Sequence, residues 1–366
     1  MALLVLATMI MVIAHQAHGS GRGSMGLVSG ITDPPIAGIC STSVSIHGYK
    51  CHEIDVETRD GFILSMQRIP EGRDGGGDTE RPPVLIQHGV LVDGMTWLLN
   101  PPEQNLPLIL ADGGFDVWIA NTRGTRYSCR HTSLQPDEPG TLIALASFSE
   151  GLLVDKLKSA VLLSPIAYLS HMNTALGVAA AKVFVGEITT LLGVAEFNPK
   201  GEPVAKFLKA LCDYPGVDCY DLLTSITGQN CCLNASTVDL FLKNEPQSTS
   251  TKNMVHLAQT VRDGVLAKYN YGNPYFNVMH YGEAKPPIYN LSNIPHNLPI
   301  FISYGGKDAL SDVRDVELLL DSLKLHDVDK LTIQYIKDYA HADFIMGVNA
   351  KDIVYNQVVS FFNHQH

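Results

Sequence analysis

The sequence predicts an α/β fold, in which a mostly parallel sheet carries helices on both faces. Short apolar runs typical of buried strands alternate along the chain with stretches typical of helices. Candidate catalytic residues follow several of these runs, and the carboxyl ends of parallel strands meet at one edge of such a sheet. The chain has 366 residues, of which 45% are hydrophobic, so it is long enough to bury a large core.

The predicted strands begin with a hairpin. HEIDVE at 52–57 alternates polar and apolar residues, Arg59-Asp60-Gly61 supplies a turn, and FILSMQRI at 62–69 runs back. Further apolar runs predict buried strands at 84–87, 116–120, 157–167, 298–306 and 331–336. Helical patterns between and after these runs lie at 105–114, 141–151, 312–326 and 350–362.

The pattern changes between Ser170 and Pro295. This segment contains several helical stretches and four of the seven cysteines, but no convincing buried parallel strand. Because it stands between two core strands, we interpret residues 170–295 as a cap inserted into one domain. The core of that domain then consists of residues 30–169 and 296–366.

Charge and N-terminal sequence limit the partners and the compartment. A formal net charge of −11 argues against a nucleic-acid partner and against docking on anionic lipid. The apolar run Ala2–Ala14 is too short to span a bilayer, and we interpret residues 1–19 as a signal peptide. A buried N-terminal helix is the alternative, which the Gly/Ser-rich stretch 19–30 disfavours. No later run predicts a transmembrane helix in the mature chain.

Sequons and cysteines agree with a secretory route. Asn234 and Asn290 each begin an N-x-S glycosylation sequon. In an oxidising compartment most cysteines should pair, and an odd number leaves at least one free. Cys40 with Cys51, and a pair within the group from Cys212 to Cys232, are plausible disulfides. Metal binding is a weaker alternative because no matching histidine cluster is present.

Three positions predict the chemistry of ester hydrolysis. Asp308 follows one core strand and His341 follows the next, and this order of acid and base is that of a serine hydrolase whose nucleophile precedes both. The competing acids are Asp312, Asp338 and Asp343, of which Asp312 is better explained as a helix cap. The loop His88-Gly89-Val90 follows another strand and is suited to donate a backbone N–H to an oxyanion.

Five segments carry a resemblance to a known family. They are HGVLVDGMTWLLN at 88–100, GFDVWIANTRGTRYS at 114–128, LLSPIAYLSHM at 162–172, YGGKDALSD at 304–312 and YAHADF at 339–344. Together they resemble the acid lipase family of α/β-hydrolases, which includes lysosomal and gastric lipases, and its plant branch most of all.

The resemblance implies an α/β-hydrolase fold with an inserted helical cap or lid over an acyl-binding cleft. It implies Asp308 as triad acid, His341 as triad base and the Val90 N–H as oxyanion donor. The implied substrates are neutral lipid esters, such as triacylglycerols or sterol esters, cleaved at a lipid–water interface without a metal or organic cofactor. The implied location is the secretory pathway, either extracellular or vacuolar and lysosomal.

One hallmark of the family is missing before Gly140. No G-x-S-x-G turn occurs in the 366 residues, and the polar loop 134–139 runs directly into the glycine that should end that turn. The nucleophile, the second oxyanion donor and one central strand are therefore absent, a loss of roughly 30 residues. The neighbours of the lost strand are expected either to keep unpaired edges or to pair directly. So abrupt a join is typical of a skipped exon or a faulty gene model.

Three hypotheses follow from this gap. The chain is a truncated, inactive or severely impaired lipase, or a pseudoenzyme that binds lipid without cutting it, or a misread version of an intact lipase. Reading the transcript across Pro139 and Gly140 separates the third from the others. The sequence offers Ser164, Ser147, Ser149 and Cys129 as substitute nucleophiles. Each is disfavoured, and Ser164 in particular precedes a proline and lacks flanking glycines.

Overall fold

The computed structural model describes residues 37–75, 80–132, 143–172, 196–198 and 220–365. The predicted signal peptide, the join at Gly140, and Cys212 and Cys219 lie outside these residues. Over the described ranges, no helix combines the length and apolar character needed to cross a bilayer.

The first sheet contains the predicted hairpin and two of the predicted strands. Its main strands are β1 His52–Glu57, β2 Phe62–Ile69, β3 Pro83–Gln87 and β4 Asp116–Ala120, in the order β1-β2-β4-β3, and the short strand Arg130–His131 also pairs with β2. β1 and β4 both run antiparallel to β2, whereas β3 runs parallel to β4 with Val84 opposite Val117. The sequence therefore predicted these strands to within a residue, and the antiparallel hairpin makes the sheet mixed.

The second sheet is fully parallel. It consists of β5 Ala160–Leu163, β6 Ile300–Gly305 and β7 Leu331–Ile336, in the order β7-β6-β5. All six residues of β6 are buried, as expected for a strand with neighbours on both sides and cover on both faces. The loops that follow these three strands consequently lie side by side at one edge of the sheet.

Helices surround the two sheets. The α-helices of the core are α1 Leu106–Asp112, α2 Ile143–Ser149, α7 Val313–Ser322, α8 Asp343–Met346 and α9 Asn356–His364. Those of the predicted cap are α3 Tyr220–Thr227, α4 Ala235–Asn244, α5 Thr251–Asp263 and α6 Pro274–Tyr281. Shorter turns of 3₁₀ or π type span Cys40–Val44, Ser45–His47, Gly94–Leu98, Pro102–Gln104, Leu291–Asn293 and Lys351–Tyr355. Two-residue strands lie at Arg130–His131, Glu196–Phe197 and Thr249–Ser250.

The two sheets are not joined edge to edge in the described part of the chain. β3 pairs only with β4, and β5 pairs only with β6. Nevertheless Ile86 of β3 and Leu163 of β5 belong to one hydrophobic core, together with Phe301 of β6. On the other face of β3, Leu85 is 64% exposed. Among the described residues the α/β architecture thus consists of two sheets, divided between β3 and β5, and these two strands do not pair with each other.

Candidate active site

The parallel strands β6 and β7 bring the predicted acid and base together. Asp308 lies three residues after β6 and His341 lies five residues after β7, so their loops are neighbours. Asp308 Oδ2 is 2.9 Å from His341 Nδ1. The other oxygen of Asp308 accepts hydrogen bonds from the backbone N–H groups of Leu310 and Ser311, at 2.9 and 2.8 Å. These bonds fix the carboxylate towards the imidazole.

Each member of the pair stabilises the ionised form of the other. Burial raises the pKa of the Asp308 carboxyl, but the charge and hydrogen bond of His341 and the hydrogen bonds of Ser164 and Ser311 together lower it by more, so it lies below its ordinary value. Burial lowers the pKa of the His341 imidazole, but the Asp308 carboxylate raises it by more, so it lies above its ordinary value. The site therefore stabilises an imidazolium, which a general base must form during proton transfer.

Replacement of Asp308 by Asn should lower the pKa of His341, because it removes the carboxylate whose charge and hydrogen bond raise it. Wild-type His341 stabilises the fold at pH values below its ordinary pKa, and this stabilisation is lost as pH rises through the raised folded-state pKa. The variant should lose that pH-dependent stabilisation. NMR titration of the ring measures the shift, and Asp338→Asn, an exposed acid of the same loop, is the matched control. An unchanged titration in Asp308→Asn would contradict the assignment of Asp308 as the acid.

Ser164 is a member of this site that sequence reasoning set aside. It follows β5 directly, is 5% exposed and has a positive φ of 51°, so its backbone turns sharply although it is not glycine. Its hydroxyl donates to the Asp308 carboxylate and lies 2.9 Å from His341 Nδ1. The signal available in the sequence was its place after the strand beside that of Asp308.

The position of Ser164 differs from that of a triad nucleophile. In a triad the acid binds Nδ1 of the histidine and the nucleophile binds Nε2. Here both Ser164 and Asp308 approach Nδ1 of His341. Ser164 therefore occupies the acid's side of the ring, and no described residue donates a hydroxyl to Nε2.

The end of α3 and the residues that follow it contact the loops of Asp308 and His341. The carbonyl oxygen of Thr227 accepts from the backbone N–H groups of His341, at 3.1 Å, and of Ala309, at 3.3 Å. The buried carboxylate of Asp343 accepts from the N–H groups of Cys231 and Cys232, each at 3.1 Å. Asp343 is thus a structural acid rather than a competitor of Asp308, and burial raises its pKa.

The disulfides follow the prediction where the structure describes them. Cys40 pairs with Cys51, and Cys231 pairs with Cys232 within the predicted cap group. Cys129 is exposed and free. Although Cys231, Cys232 and Asp343 cluster closely enough to hold a metal, the two sulfurs are joined to each other and the carboxylate is occupied by backbone N–H groups. This cluster therefore does not fit a metal site.

The loop after β3 has the features expected of an oxyanion loop. Buried His88 accepts a hydrogen bond at Nε2 from the Thr122 N–H, at 3.0 Å, and its Nδ1 lies 2.8 Å from the Gly89 carbonyl oxygen. Burial lowers the pKa of His88, so a neutral ring with its proton on Nδ1 fits both contacts. Val90 lines a small pocket between this loop, the loop after β4 and the cap. No acceptor for its N–H is present among the described residues.

Comparison with known proteins shows the family of this chain. The sequence model of the partial α/β-hydrolase lipase region matches residues 40–101. Triacylglycerol lipase 2 of Arabidopsis thaliana is 56% identical, over 99% of this chain and 97% of that protein. Human gastric triacylglycerol lipase is 30% identical, over 99% of this chain and 98% of that protein. The chain belongs to the acid lipase family of α/β-hydrolases. The fold agrees, since monoglyceride lipase of Saccharomyces cerevisiae superposes with a TM-score of 0.54 at 12% identity, covering 87% of this chain and 95% of that one.

The alignment with the Arabidopsis lipase is longer than this chain. The alignment with the Arabidopsis lipase spans 406 positions, whereas this chain has 366 residues. At least 40 positions therefore carry no residue of this chain. A strand with its flanking helix and turn is of this size.

Proposed function

We propose that this acid lipase family member is a carboxylic ester hydrolase scaffold for neutral lipids whose own turnover is abolished or severely impaired. Triacylglycerols, which the names of the relatives print, and sterol esters, which the resemblance to the family implies, are the proposed substrate class. The observation that carries the proposal is the contact between Asp308 and His341 beside an Nε2 for which no described hydroxyl is a partner. Binding of lipid without cleavage is the limiting case of this proposal.

The geometry defines which steps the chain retains. With Asp308 at Nδ1, His341 is suited to take a proton at Nε2 and to hold it while the Asp308 carboxylate stabilises the imidazolium. The Val90 N–H is proposed to donate to the oxyanion of the tetrahedral intermediate. The attacking hydroxyl and the second oxyanion donor both belong to the missing elbow. The site therefore retains a general base and one donor, but no nucleophile that either can serve.

Loss of the nucleophile is expected to lower the rate of ester hydrolysis greatly. Removing members of a serine hydrolase triad lowers the rate by about 10⁴- to 10⁶-fold. Ser164 does not replace the nucleophile, because its hydroxyl donates to the Asp308 carboxylate and lies away from Nε2. No metal or organic cofactor enters the proposed chemistry.

Hydrolysis of a p-nitrophenyl ester by the purified chain tests the proposal. We expect a rate about 10⁴- to 10⁶-fold below that of an intact acid lipase, with no further loss in His341→Ala or in Ser164→Ala. The physical reason is that neither residue contributes to a reaction that has no nucleophile. Robust hydrolysis that disappears in both variants would overturn the proposal and identify Ser164 as the nucleophile.

The same proposal includes a role for residues 170–295, a lipid–water interface and a cellular location. Residues 170–295 are proposed to cover the acyl-binding cleft, and the site is proposed to act at a lipid–water interface. Secretion to an extracellular, vacuolar or lysosomal location is supported by the apolar N-terminal run and by the exposure of Asn234 and Asn290. Both asparagines form helix-capping contacts with the serine two residues later, and their glycosylation remains a prediction.

A further inference from the structure

Two fully buried carboxyl groups meet where the cap contacts the oxyanion loop. Asp93 lies in the loop after β3 and Glu245 lies directly after α4, and both are 0% exposed. Glu245 Oε1 accepts hydrogen bonds from the Asp93 N–H, at 3.4 Å, and from the Thr96 hydroxyl, at 3.1 Å. Glu245 Oε2 is buried and has no partner. An ionised carboxylate with an unpaired oxygen is costly to bury.

The positive charge near this pair is too small to compensate two ionised carboxylates. Arg126, from the loop after β4, directs its guanidinium at Asp93, with Nε 2.7 Å from Oδ2. The charge of Arg126 also acts on Glu245 and lowers its pKa, but by less than burial and Asp93 raise it. The phenol of Tyr127, beside it, is half-buried and neutral, and burial raises its pKa further. On the helix of Glu245 itself, Lys243 is exposed to solvent.

These surroundings favour a neutral Glu245 beside an ionised Asp93. Burial, followed by the charge of Asp93, raises the pKa of Glu245 from 4.5 to about 7. The Thr96 hydrogen bond, the nearby Gln247 amide and the charge of Arg126 oppose this shift without cancelling it. In the protonated state the second oxygen of Glu245 is a hydroxyl, so the buried site holds one negative and one positive charge.

The segment that contains Glu245 also holds the oxyanion loop through its backbone. The Gln247 N–H donates to the carbonyl oxygen of Leu91, at 2.7 Å, and Leu91 adjoins Val90. Arg126 further contacts Asn244, at 3.4 Å. We propose that Glu245 is a protonation-dependent latch between the cap and the oxyanion loop, closed while its carboxyl group is neutral and loosened when that group ionises. The latch acts whether or not the chain hydrolyses esters, so it stands apart from the proposed function.

Hydrogen–deuterium exchange of the full chain at pH 5.5 and pH 8.0, corrected for intrinsic exchange, tests the latch. Peptides covering residues 88–98 and 244–250 should lose protection about 30-fold at the higher pH. This factor is expected for a carboxyl group with a pKa of 4.5 when open and about 7 when closed. Glu245→Gln, which mimics the neutral acid, should remain protected at both values. Glu283→Gln, at an exposed position of the cap, should behave as the wild type.

Asp93→Asn provides a second variant should Glu245→Gln fold poorly. Without the Asp93 charge, Arg126 becomes available to pair with an ionised Glu245, so the loss of protection at pH 8.0 should be smaller than in the wild type. Protection of both peptides that is independent of pH in the wild type would overturn the latch. A pH dependence that is unchanged in both variants would overturn it equally.

Discussion

Insertion of the missing strand and elbow between Pro139 and Gly140 is expected to raise ester hydrolysis by about 10⁴- to 10⁶-fold. The inserted segment would supply a strand, a flanking helix and a G-x-S-x-G turn, the parts that are missing from the sequence before Gly140. The expectation rests on what is already in place. Asp308 binds Nδ1 of His341, and no described residue donates a hydroxyl to Nε2. A p-nitrophenyl ester and an emulsified triacylglycerol are the substrates to compare.

The control for this insertion carries alanine in place of the elbow serine. It should remain inactive but become more stable, because a strand placed between β3 and β5 would pair with edges that have no strand partner there in the described structure. Thermal unfolding separates the two effects. If the serine-containing insertion folds and remains inactive, the acid and base loops are not in a productive arrangement, and the proposed function is wrong.

Replacement of Arg126 by Met should destabilise the fold by about 3–5 kcal/mol, the cost of breaking a buried ion pair by removing one partner. Asp93 is 0% exposed, and Arg126 is its cation, so the variant leaves the carboxylate uncompensated. The loss should be larger at pH 8 than at pH 5, because Glu245 ionises above about pH 7 and adds a second unpaired negative charge. Urea unfolding followed by fluorescence measures both values.

Arg123→Met is the matched control, because it removes an arginine from the same loop. Arg123 pairs with Asp60, at 2.6 Å, but Asp60 is 54% exposed and water replaces the lost partner. The stability change should be much smaller and should not increase between pH 5 and pH 8. An equal effect of the two substitutions would mean that Asp93 and Glu245 do not require Arg126.

The strands and the acid–base pair were predictable because their signals are local. HEIDVE and FILSMQRI alternate with the period of a strand, and the structure places β1 and β2 at those residues. Asp308 and His341 each follow an apolar run, and parallel neighbours bring the ends of such runs together. The mixed character of the first sheet was not predicted in full, since the position of β2 beside β4 depends on contacts between distant residues.

Other features depend on which loops come into contact in the folded protein. The order of residues along the chain does not indicate those contacts. Ser164 precedes a proline and was set aside as a nucleophile, yet folding carries its hydroxyl to Asp308, 144 residues away. Glu245 has the appearance of a solvated residue at a helix end, where acidic side chains are ordinarily exposed. It is buried because α4 packs against the loop of Asp93, 152 residues earlier.

The sequence by itself determined the family, the strands and the absence of a G-x-S-x-G turn before Gly140, and it predicted Asp308 and His341 as acid and base, because each of these signals lies in neighbouring residues. Only the tertiary structure decided that the sheet stays divided between β3 and β5, that Ser164 lies on the Nδ1 side of His341, and that Glu245 is buried beside Asp93. The physical reason is that pairing, burial and pKa depend on groups brought together across more than a hundred residues. The free energies of these groups depend on the water that folding removes from them and on the charges that folding places beside them.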